Sequence, residues 1–82
     1  MQHRIEFLLN SLPVNTIEAK KDLAKETGVH IDTVNRWYGN PDVEISSNNL
    51  SKILAFFRKF NPKMQYEDLF NNEDTTTDVG LV

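Results

Sequence analysis

Residues 23–37 constrain this chain more than any other segment. Leu23-Ala24, Gly28-Val29, Val34 and Trp37 put small, permissive and bulky residues at spacings that suit two short helices meeting at a tight turn. Ala24 is small where the two backbones must approach closely. Gly28 supplies the left-handed conformation that commonly ends a helix. Val29, Val34 and Trp37 are then expected to pack the second helix onto Leu23. Two helices crossing at roughly 90–120° over a short turn satisfy this pattern.

The rest of the chain extends the helical reading in both directions. Ile5, Leu8, Leu9 and Leu12 repeat at helical spacing, and Pro13 follows, which predicts a first helix over about residues 2–11. Asn15 with Glu18 three residues on resembles a capping box ahead of the second helix. That helix is expected to carry Ile17, Leu23 and Ala24 on its core side and Lys20, Lys21 and Lys25 towards water. A third helix fits residues 30–38, stopped by Gly39-Asn40-Pro41-Asp42. Ser46 or Ser47 offers a cap to a fourth, whose apolar stripe is Leu50, Ile53, Leu54, Phe57 and Phe60. Residues 64–70 make a short fifth. The expectation is an all-α domain of five short helices over residues 1–70, followed by a disordered acidic tail over 71–82.

Composition narrows the function classes. Eighty-two residues fit one domain or less and leave no room for an enzyme with an interdomain cleft. The absence of cysteine excludes disulfides and thiolate zinc sites. His3 and His30 fall on different segments, and the phosphate-loop, nucleophile-elbow and zincin motifs are missing, so no enzyme, cofactor, metal or small-molecule substrate is implied. Short apolar runs and the lack of a signal-peptide pattern predict a soluble, cytoplasmic protein with no membrane partner. The net charge of −3 conceals an uneven distribution. Five acids and no base lie in residues 67–82, leaving nine bases against seven acids in residues 1–66.

The framework Leu23-Ala24, Gly28-Val29, Val34, Trp37 resembles the helix-turn-helix of the lambda-repressor and Cro-like group, the XRE family. Downstream, Ser46, Leu50, Ile53 and Leu54 resemble the family's fourth helix, so the likeness covers about residues 2–70. It implies a lambda-repressor-like bundle that binds double-stranded DNA sequence-specifically as a transcriptional regulator of the repressor type, acting as a homodimer with helix 30–38 in the major groove. The chain departs from the family at Lys20, where glutamine is frequent, and at Thr27, where an aliphatic residue is usual. The connection after Trp37 is about one residue longer, and it carries Asp42 and Glu44 where basic residues are common.

The resemblance makes Ile31, Asp32, Asn35 and Arg36 the expected base contacts. Arg36 can bond guanine O6 and N7 together; it can also pair with Asp32 four residues earlier. Ile31 can touch a thymine methyl or pack at the core rim. Asn35 can bond adenine or phosphate, or remain solvated. For the DNA backbone the expected contacts are Lys20, Lys21, Thr33 and Asn40, supported by the helix-two N-terminus. The lysines can equally form a solvated face, and Thr33 can bond within its own helix. His30 reads as a cap. Surplus aromatics, Phe7, Phe56, Phe60, Tyr66 and Phe70, either close the core or form a patch for a second subunit. The alternative reading is a protein-interaction or antitoxin-like module on the same fold, suggested by the acidic connection and tail.

Overall fold

The computed structural model describes residues 2–70. They form four α-helices, α1 (Ile5–Asn10), α2 (Thr16–Thr27), α3 (Ile31–Gly39) and α4 (Ser47–Arg58), and a single 3-10 turn, Tyr66–Leu69. The fifth helix expected over 64–70 is thus only this turn. Among the described residues there is no strand; the only β feature is an isolated antiparallel bridge between His3 and Phe70. The tail expected over 71–82 lies outside the described residues.

Helix ends follow local chemistry. Asn15 caps α2, its Oδ1 accepting from the N–H of Ile17 at 2.8 Å and of Glu18 at 3.4 Å. Gly28 ends α2 at φ +76° and donates its N–H to Ala24. Ser46 caps α4 through Asn49 N–H at 3.2 Å. α1 begins three residues later than its periodicity predicts. The N–H of His3 is taken by Pro41 O at 3.1 Å and that of Arg4 by Leu69 O at 2.8 Å, which holds residues 2–4 out of the helix.

The core gathers Ile5 and Leu9 of α1, Ala19, Leu23 and Ala24 of α2, Val34 and Trp37 of α3, and Ile53, Leu54 and Phe57 of α4, with Leu69 closing one end. Two expected core residues are outside it. Ile17 is 62% exposed, because the buried face of α2 runs through Ala19, Leu23 and Thr27, and a residue two before Ala19 points away from that line. Phe60 is 42% exposed, because α4 stops at Arg58 and Phe60 lies in the turn beyond, its N–H bonded to Phe57 O. Phe56 instead is buried, edge-on to Phe57 at 5.2 Å. Thr27, polar where the family resemblance implies an aliphatic residue, is buried with its hydroxyl donated to Leu23 O at 2.8 Å.

Candidate nucleic-acid interface

α2 and α3 are joined by residues 28–30 alone. The left-handed Gly28 turns the chain, and Val29 packs on the core. His30 caps α3 by accepting from Asp32 N–H at Nδ1, 3.1 Å. Burial of Val34 and Trp37 then fixes which side of α3 faces inward. A helix with that underside must expose Asp32, Asn35 and Arg36 together, and all three are exposed. Thr33 and Ile31 are half-buried at the two margins of this face, Ile31 packed against the core.

Arg36 makes no side-chain hydrogen bond or ion pair among the described residues, and the expected pairing with Asp32 is not formed. The Asp32 carboxylate lies near the cap, one oxygen 3.4 Å from His30 Nδ1, the same nitrogen that accepts the Asp32 N–H two residues on. The guanidinium is left for solvent. Nor does Thr33 bond within its helix; that behaviour belongs to Thr27.

The expected backbone-contact residues separate into different situations. Lys20 is half-buried with its ammonium 3.8 Å from the centroid of the Tyr38 ring. Tyr38 donates its hydroxyl to Asn10 Oδ1 at 2.9 Å, and Thr16 donates to the same oxygen at 3.2 Å. The end of α1, the start of α2 and the end of α3 therefore meet at one junction, with Lys20 beside α3. Lys21 pairs with Glu18 at 3.8 Å on an exposed surface. Lys25 has no partner among the described residues, and Glu26 bonds Lys59 at the end of α4, 2.6 Å. At the N-terminus of α2 the amides of Ile17 and Glu18 are bonded to Asn15 Oδ1, and the Glu18 carboxylate stands in the first turn; both oppose anion binding there. Asn40 uses its Oδ1 to accept from Asp42 N–H at 3.1 Å, an Asx turn that shapes the connection.

Sequence reasoning missed His3. It is 4% exposed, and its Nδ1 accepts from Ile5 N–H at 3.3 Å. Among the described residues its Nε2 has no hydrogen-bond partner. Burial pushes the imidazole below its usual range; the Asn40 backbone and the Asp42 carboxylate, which favour the charged ring, offset this only in part. Nothing near His3 in the sequence signals burial, since its neighbours come from residues 41 and 69–70.

Comparison of the chain with family models, with curated proteins and with solved structures finds no match.

Proposed function

We propose that this domain is a sequence-specific double-stranded DNA-binding regulator of the repressor type, with a lambda-repressor-like helix-turn-helix formed by α2 and α3. The observation that carries the reading is the division of α3. Val34 and Trp37 are buried, while Asp32, Asn35 and Arg36 share an exposed face on which Arg36 has no partner among the described residues. A helix so presented suits the major groove, where a guanidinium reads guanine and an amide reads adenine. Asp32 can accept from cytosine N4, and Ile31 at the margin can meet a thymine methyl. Lys20, beside α3 through Tyr38, serves the phosphates in this reading together with Lys21, Thr33 and Asn40.

A homodimer fits the same reading, because two-fold proteins with this motif read two half-sites one helical turn apart. Exposed Phe60 borders a groove of about 270 Å³ lined by Leu8, Leu12, Phe57 and Met64, which offers apolar surface to a second copy.

The experiment is selection from a random duplex library at two salt concentrations, for the parent and Arg36→Ala. Enrichment of a motif that weakens or broadens in the variant supports the reading; no enrichment at low salt removes it. The second reading, a protein-interaction or antitoxin-like module, draws on Asp42 and Glu44 beside α3 and on Lys21 being held by Glu18. It gains if no duplex is enriched and affinity capture returns one defined, stoichiometric protein partner.

A further inference from the structure

We propose that His3 is the latch of a pH-released clasp that ties the N-terminal segment and the 3-10 turn to the connection following α3. The inference goes beyond DNA binding and does not depend on it.

Three stretches of chain meet at this residue. The backbone N–H of His3 donates to Pro41 O at 3.1 Å, in the connection after α3. His3 forms the antiparallel bridge with Phe70, and Arg4 N–H donates to Leu69 O at 2.8 Å. The ring completes the set by accepting, at Nδ1, the N–H of Ile5, the first residue of α1. An imidazole that accepts at Nδ1 carries its single proton on Nε2 and is neutral. Protonation puts a second N–H against the Ile5 N–H, so the bond is lost. It also places a charge on a ring that is 4% exposed and whose Nε2 has no hydrogen-bond partner within bonding geometry among the described residues, so that the Asn40 backbone and the Asp42 carboxylate favour the charge without outweighing burial.

The surroundings give the charged ring a way out. A cavity of about 380 Å³ adjoins His3 and is lined by Asp42, Glu44 and Phe70 among others. Charged groups stand on each neighbouring stretch, and of them Asp42 acts on the ring. The connection supplies Asp42, which is bonded to Gln2 Nε2 at 3.1 Å, and Glu44. Arg4, next in the chain, is turned onto the Phe7 ring at 4.5 Å. The 3-10 turn contributes Glu67 and Asp68, the latter accepting from Gln65 N–H at 2.8 Å. α4 meets the cavity through apolar Leu50. Asp42 favours the charged ring, but burial outweighs it in the closed form. A ring that swings into the acidic cavity escapes the burial and keeps the attraction, at the expense of the Ile5, Pro41 and Phe70 ties.

The sign follows from linkage. The closed form holds the imidazole below its ordinary value of 6.5, so the open form binds the proton more readily. The clasp is at full strength above that value and weakens as pH falls through it. One proton permits at most about a tenfold change in the open population per pH unit.

The test is amide hydrogen exchange of the full chain, corrected for intrinsic rates, between pH 7.5 and 5, with the His3 ring titrated by NMR on the same sample. His3 and Arg4 amides should lose protection by up to about tenfold per pH unit from 6.5 down to the midpoint at which the closed-form ring titrates and level off below it, while Leu23 and Val34 amides keep theirs. His3→Asn retains an acceptor for Ile5 without a titrating group, so its His3-segment protection should be flat over this range. Should that variant fail to fold, the parent decides: the fall in protection must end at the pH where the ring titrates. Protection that is insensitive to pH, that falls equally across the chain, or that keeps falling well below the ring's midpoint overturns the proposal, as does an unchanged pH response in His3→Asn.

Discussion

Arg36 and Trp37 are adjacent in sequence and face opposite fates. Trp37 is 3% exposed and braces α3 against the core, whereas Arg36 is exposed and has no partner among the described residues. Truncating them should therefore separate folding from recognition. Trp37→Ala should cost about 3–5 kcal/mol, a large share of the stability available to so small a domain, and is expected to unfold it by circular dichroism. Arg36→Ala should shift the denaturation midpoint by less than about 0.5 kcal/mol. In the same variant, discrimination at one base pair of the selected site should drop by about 1–3 kcal/mol, measured as the affinity ratio of preferred to substituted duplex. Gly28 belongs to this scale too. A Cβ there would meet no atom within 4 Å, so Gly28→Ala is opposed only by the φ of +76°. The expected loss is about 1 kcal/mol, read from urea unfolding with an unchanged slope.

At the scale of elements, the joints matter more than the helices' own preferences. α2 depends on Asn15 at one end and Gly28 at the other, and Asn15→Ala should cost about 1 kcal/mol in chemical denaturation. The junction of Asn10, Thr16, Lys20 and Tyr38 holds α3 to its neighbours. Tyr38→Phe keeps the ring under Lys20 and removes only the hydroxyl, so about 0.5–1.5 kcal/mol should be lost by the same measurement. The helices themselves were legible in the sequence, because capping and burial periodicity are local: Asn15, Ser46, Gly28, Val34 and Trp37 stand where their spacing predicts. Ile17 and Phe60 were misplaced since an apolar residue in the first turn or past the last one reads like a member of the stripe. His3 was illegible because its environment is assembled from residues more than thirty positions away. On the candidate site, the outward face of α3 followed directly from its buried underside. That Asp32 does not pair with Arg36, and that Lys20 lies over Tyr38, required coordinates, since several partners lay within reach of each side chain.

For the molecule as a whole, charge sets how duplex binding must behave if the proposed function holds. Residues 1–66 carry nine bases against seven acids, and several of the bases are committed elsewhere. Lys59 is bound to Glu26 and Arg58 donates to Met64 O at 2.8 Å, while Lys21 meets Glu18. Beside the exposed face of α3 this leaves Arg36 and Lys20 as cations without a carboxylate partner, and Lys21 as a third if Glu18 releases it. Each phosphate neutralised contributes about −0.9 to the slope of log affinity against log salt. The slope expected for one protomer is thus shallow, no steeper than about −3. Fluorescence anisotropy on the selected duplex, taken across a salt series, measures it. Lys20→Gln should reduce the slope by about one unit and weaken preferred and random duplexes alike, because a phosphate contact carries no sequence information. A slope far steeper than this would mean that cations away from α3 touch the duplex. The binding face would then have to be sought around Lys52, Arg58 and Lys63 on α4 and the turn after it, not on the helix whose underside is Trp37.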